Sequence, residues 1–74
     1  MIKCKDYVVD GYKNGKTAVR ASLVADNSAE VVAIGTNANT VEGLTDNNIM
    51  SFGSTCLTVN GDFGQLDSSG NWVF

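Results

Sequence analysis

Three turn signals cut this chain into short segments: Asn14-Gly15, Asn60-Gly61 and Ser68-Ser69-Gly70. An Asn-Gly pair between alternating apolar residues is a strong hairpin signal, because a type I′ turn needs positive φ at both central residues. Ser-Ser-Gly suits a three-residue hairpin loop with its glycine in the left-handed region. Nine valines and no proline make the intervening segments rich in strand formers. No window longer than a turn or two carries the i, i+3, i+4, i+7 apolar stripe of a helix. The expected class is all-β, a small antiparallel sandwich or barrel-like meander of β-hairpins. It forms a single domain over residues 1–74, with one short helical turn near residues 46–50.

The first hairpin carries its own register argument. In the second arm Thr17, Val19, Ala21, Leu23 and Ala25 share one face. Arg20, Ser22 and Asp26 share the other, interrupted by Ala18 and Val24. Simple pairing across Asn14-Gly15 sets Asp6 and Asp10 on the apolar face, where unpaired carboxylates are costly. One extra residue at Asp10-Gly11 repairs this, bringing Val9 opposite Val19 and Tyr7 opposite Ala21. A β-bulge is therefore expected there.

Further along, Asp26-Asn27-Ser28 reads as a turn and residues 30–35 (EVVAIG) as a short strand, apolar on both faces. Residues 36–48 read as a long ordered connection anchored by Val41 and Leu44. Thr45-Asp46 is placed to cap the helical turn, with Ile49, Met50 and Phe52 on its buried side. At the tail, a two-residue turn at Asn60-Gly61 sets Leu57 opposite Gly64. The Ser68–Gly70 loop then sets Leu66 opposite Trp72 and Gly64 opposite Phe74. Thr55, Leu57, Val59, Leu66, Trp72 and Phe74 fall on one face in this register, which is why apolar rings close the sequence. Cys56, Thr58, Phe63, Gln65 and Val73 fall on the other face, where Phe63, Val73 and Cys56 are apolar enough to need a partner of their own. Leu57, Val59, Phe63, Leu66, Trp72, Val73 and Phe74 are thus the candidate core and interface residues.

The chemistry available is narrow. With no histidine, neither a Ser-His nor a Cys-His nucleophile pair can form. Cys4 and Cys56 read as small buried hydrophobes with free thiols. No motif for a metal, a nucleotide phosphate or a calcium loop is present. The expectation is a chain without enzymatic activity, cofactor or metal. All five cations (Lys3, Lys5, Lys13, Lys16, Arg20) lie in the first twenty residues, which carry net +3 with Asp6 and Asp10. Residues 21–74 hold six carboxylates and no cation, giving −6. That pattern describes either a solvated basic hairpin or a polar axis suited to head-to-tail docking or an acidic partner. It gives no support for nucleic acid as a partner. No stretch reads as a secretion signal or approaches the ~20 apolar residues of a membrane span, so residence in the cytoplasm is expected.

A domain of 74 residues buries only roughly 60% of the surface its unfolded chain exposes. Lacking a metal or a disulfide framework, it is expected to gain stability as a homo-oligomer, a trimer among the options, or on a larger protein partner. The alternative is a small β-rich module that binds a glycan, a peptide or a protein. Its candidate site is the 36–48 connection with the two tyrosines: Asn37, Asn39, Val41, Leu44, Tyr7 and Tyr12.

Residues 52–74, FGSTCLTVNGDFGQLDSSGNWVF, with VEGL at 41–44, carry a further pattern. A short strand and a hairpin precede L-x-x-x-G-x-W, here Leu66 to Trp72 through Gly70. Residues 41–74 resemble the C-terminal parts of small proteins encoded beside capsid genes in tailed phages and prophages of Gram-positive bacteria. The resemblance implies a non-enzymatic, head-associated virion or assembly component with a capsid-type partner. Such a protein is made in the bacterial host cytoplasm and ends in the virion.

Gly70 gives the most direct test of these turns. Gly70→Val should destabilise the fold by about 1–2 kcal/mol or more, because a β-branched residue resists the left-handed region. Gly70→Asn should cost less. Urea titration of both variants checks this; equal losses would remove the case for the turn.

Overall fold

A computed structural model describes all 74 residues. The elements are β1 (Ile2–Lys13), β2 (Lys16–Ala25), α1 (Ser28–Ile34), β3 (Asn48–Met50), β4 (Thr55–Thr58), β5 (Phe63–Leu66) and β6 (Trp72–Val73). The class is all-β, as the turn and strand pattern indicated. The strands form one sheet ordered β1-β2-β4-β5-β6, with β3 also paired to β2. The sheet is mixed where an antiparallel meander was expected: β2 runs parallel to both β3 and β4.

The first hairpin follows its expected register. Asn14 has φ 55° and Gly15 φ 77°, as a type I′ turn requires. Val9 pairs with Val19 and Tyr7 with Ala21, with Asp10 as the inserted residue. A second insertion, Lys5 between Cys4 and Asp6, had no counterpart in the sequence reading.

Residues 30–35 correct the expected strand. They belong mostly to α1, a helix that starts on Asn27, whose side chain accepts the Glu30 backbone N–H at 3.0 Å. The Glu30 carboxylate in turn accepts the Asp26 N–H at 3.1 Å, a variant of the reciprocal capping box. Only Val31 is fully buried in this helix, while Val32 is exposed. One face of the segment therefore packs, not two. Residues 46–50 also differ from expectation. The Asn48 N–H meets the Thr45 carbonyl at 3.0 Å in a single turn, and the chain then extends into β3. Met50 is buried there, Ile49 partly so, and Phe52 is exposed.

β3 and β4 are two pieces of one strand laid along β2. Thr17–Val19 pair with Asn48–Met50, and Ser22–Ala25 with Thr55–Thr58. Between the pieces, residues 51–54 step out of the ladder. Ser54 closes the gap: its fully buried hydroxyl accepts the Ala21 N–H at 3.0 Å and donates to the Ser51 carbonyl at 2.8 Å. A side chain thus takes the place of a missing backbone acceptor in the middle of the sheet.

The two remaining hairpins share one loop geometry. In each, the third loop residue is a glycine with positive φ, Gly61 at 89° and Gly70 at 86°. Their N–H groups donate to Thr58 and Asp67 carbonyls at 3.0 and 3.1 Å. The Thr58 hydroxyl and Asp67 carboxylate then accept the N–H four residues on, from Asp62 and Asn71. The Ser68–Gly70 loop is as expected, and Leu66 pairs with Trp72. The Asn60-Gly61 turn is not a two-residue turn, because Val59 joins the loop. That extra residue moves the β4–β5 register by one, so Leu57 meets Phe63 and Cys56 meets Gly64.

The buried face of the sheet consequently carries Cys56, Thr58, Leu66 and Trp72, with Val19, Ala21, Leu23 and Ala25 of β2 and Met50 of β3. Val31 of α1 and Ala38, Val41 and Leu44 of the connection cover it. Leu57 and Val59, expected in the core, are exposed, a direct consequence of the register shift. Trp72 is buried and its indole N–H donates to the Gly35 carbonyl at 2.8 Å, tying the last strand to the end of α1. Phe74 lies over Gly64, where even a methyl group would come within 2.6 Å of the ring.

Ser54→Ala leaves the Ala21 N–H without a partner inside the sheet. Its expected cost is about 1–3 kcal/mol, the penalty for stranding a buried donor. Equilibrium denaturation measures this, and a loss under about 0.5 kcal/mol, the scale of ordinary surface substitutions, would show that the hydroxyl does not hold the two half-strands.

Candidate functional site

Only one face of the sheet is covered. On the open face the pairings align Lys3, Val24, Leu57 and Phe63 in a row across β1, β2, β4 and β5. The neighbouring row runs Asp6, Ser22, Thr55, Gln65 and Val73. Leu57 is 47% exposed, Phe63 54% and Val73 60%. An apolar band, Val24, Leu57, Phe63 and Val73, therefore crosses four strands with no layer above it. At its end lies a hollow of about 180 Å³, lined by Met1, Lys3, Val24, Ala25, Asp26 and Val59.

The candidate core and interface residues divide between the two faces. Leu66 and Trp72 are buried, while Leu57, Val59, Phe63, Val73 and Phe74 keep much of their surface in water. Val24 belongs to the band and was not among them. Its signal was present in the sequence, as a break in the apolar alternation of β2.

The candidate binding loop also divides. Val41 and Leu44 are core residues. Asn37 and Asn39 are exposed, and the Asn37 side chain turns back to accept the Asn39 N–H at 2.9 Å. Tyr7 and Tyr12 lie on β1, exposed by 49% and 83%. Their part of β1 is an open edge. Glu42 pairs with the strand at Ile2–Cys4, and beyond Cys4 no backbone hydrogen bond reaches that side.

A second hollow, of about 220 Å³, lies between the β1 bulge, residues 49–52 and the β5–β6 loop. Asp10, Lys13, Ser51 and Asp67 bring polar groups to it. The Asp10 carboxylate accepts the Ser51 hydroxyl at 3.0 Å and faces the Arg20 guanidinium at 3.4 Å. Ser51 has a carboxylate neighbour but no imidazole to take its proton, so the pair lacks the base of a hydrolytic nucleophile.

The thiols are similarly unsuited to chemistry. Cys4 and Cys56 are both free and flank Leu23 on adjacent strands. Two strand spacings, roughly 9.6 Å, are too long for a disulfide. Burial pushes both thiols up from 9.0, helped by the nearby Asp6 charge for Cys4 and the Glu30 charge for Cys56. No group of three or more histidine, cysteine, aspartate or glutamate residues is placed to hold a metal ion. No helix is long and apolar enough to cross a membrane. No family model matches the chain, and no curated protein or solved structure matches it either.

The raised thiol pKa values set a pH dependence. Above 9.0 the unfolded chain ionises both thiols while the fold keeps them protonated. Stability is then whole below that value and lost as pH rises through the folded-state values. Melting temperatures measured from neutral to alkaline pH should fall less steeply in Cys4→Ser/Cys56→Ala than in the parent chain. Parallel curves would show that the thiols do not titrate differently on folding.

Proposed function

We propose that this chain is a non-enzymatic structural or assembly protein that oligomerises, or decorates a larger particle, through the open face of its sheet. The observation carrying this reading is the apolar band of Val24, Leu57, Phe63 and Val73 in a 74-residue chain. A one-layer cover leaves that band in water, and contiguous exposed apolar surface on a small domain marks an interaction site. The likeness of residues 41–74 to small head-associated proteins of tailed phages supports a place in the virion, on or beside a capsid-type partner. A second reading, a small binding module, draws on the polar hollow beside Asp10, Lys13, Ser51 and Asp67.

Leu57→Asp with Phe63→Asp tests the first reading, because both positions are exposed in the single chain and tolerate charge there. Light scattering across micromolar concentrations should show an assembly for the parent and a smaller, still folded species for the variant. A parent that stays monomeric throughout and ignores capsid proteins would overturn the assembly reading.

A further inference from the structure

The two ends of the sheet are chemically opposite. β1 forms one edge and β6 the other. All five cations of the chain lie on β1 and β2, against two carboxylates. The other edge has no cation at all, and Asp62 and Asp67 bracket β5 beside it. The charge asymmetry of the sequence has become a polarity across the sheet.

Both edges also carry apolar side chains on the covered side of the sheet. On β1 these are Tyr7, Val9 and Tyr12, set by their pairing with Ala21, Val19 and Thr17. They are 49%, 55% and 83% exposed, because the layer over the sheet does not extend above them. At the opposite edge Trp72 and the half-exposed Phe74 lie 6.3 Å apart, centroid to centroid.

We infer that copies of this chain join head to tail, the β1 edge of one against the β6 edge of the next, so that the sheet continues from copy to copy. The inference rests on the assembly reading above and adds to its open-face contact a second contact, edge to edge, between copies. β1 runs opposite to β2, β4 runs with β2, β5 reverses and β6 reverses again. Repetition in one orientation therefore sets β1 antiparallel to the β6 beside it. It also keeps the covered faces on one side, where Tyr7 and Val9 can pack against the half-exposed ring of Phe74. The bulges at Lys5 and Asp10 leave Asp6–Val9 as the regular stretch of the free edge, a short ladder matched to a short β6. Pairing of two β1 edges is disfavoured. Centred on Val8 in the free part of the edge, it would set Asp6 against Asp10, like charge against like.

Cross-linking of mixed variants tests the arrangement. In the Cys4→Ser/Cys56→Ala background, Val8→Cys and Val73→Cys place thiols at the two edges, both exposed and facing the open side. Under oxidising conditions the mixture should yield a disulfide-linked dimer that neither variant forms alone. Its yield should drop several-fold in about 1 M salt, where the screening length is roughly 3 Å. Lys5→Glu with Lys13→Glu, made with the native cysteines, should weaken assembly by light scattering while circular dichroism stays native. Val8→Cys linking to itself as well as to Val73→Cys would overturn the head-to-tail geometry. So would undiminished assembly of the charge-reversed chain. An oligomer seen by scattering without any mixed cross-link would overturn this geometry and leave the assembly reading standing; a monomer throughout would overturn both.

Discussion

Parallel pairing of β2 with the β3–β4 strand is the constraint on which the other features depend. Two parallel strands cannot be joined by a tight turn, so the chain must leave one end of the sheet and return to the other. Residues 26–47 make that return. They carry α1 and the connection that follows, and they supply Val31, Ala38, Val41 and Leu44 to the core. What reads in the sequence as a long loop without period is the second layer of the protein. It lies over one face of the sheet because it has one pass to make.

A parallel neighbour must also be held in register without help from a hairpin. Ser54 supplies this at the break between β3 and β4, where its hydroxyl satisfies the Ala21 N–H. Trp72 supplies the other restraint. Its ring fills the core under β6, and its N–H fixes the Gly35 carbonyl at the end of α1. The last strand and the crossover layer thereby lock each other, although thirty-seven positions separate the bonded groups. The same contact explains why so short a last strand carries a tryptophan: the ring and its N–H both have partners there.

Legibility in the sequence followed the range of each interaction. The β1–β2 register could be read because a misplaced carboxylate at Asp6 or Asp10 penalises every alternative. The β5–β6 turn could be read because Ser-Ser-Gly fits one loop. Asn60-Gly61 fits two, and the choice between them depends on whether Leu57 or Cys56 faces the core. Cys56 and Thr58 suit the tight space beside Gly64, which a local reading of hydrophobicity ranks below leucine. The helix was hidden because Val31, Val32 and Ile34 favour strands, whereas its cap, Asn27 with Glu30, is a short polar pattern. The parallel pairing had no local signal, since partner choice between distant strands is decided by the whole fold. Of the candidate surface, Phe63 and Val73 were legible as needing a partner; Val24 was legible as a break in the β2 alternation, and its place in the band came only with β4 beside it.

A single covering layer has a further consequence for the open face. Burying both faces of a sheet takes either a second crossover or a second sheet, and a chain of this length spends its one crossover on the parallel pair. The residues facing outward from β2, β4, β5 and β6 should then be polar if the molecule works alone, as in sheets with one solvated face. Thr55, Ser22 and Gln65 obey that rule, but Val24, Leu57, Phe63 and Val73 do not. Their positions come from the register, and the register is fixed by the three-residue loop at Val59–Gly61. A two-residue turn there would have put Leu57 inside and the smaller Cys56 outside. The loop chosen by this sequence instead fills the core with small groups and leaves its larger side chains outward. That choice lowers what the isolated fold can gain from burial and raises what contact with another surface can add.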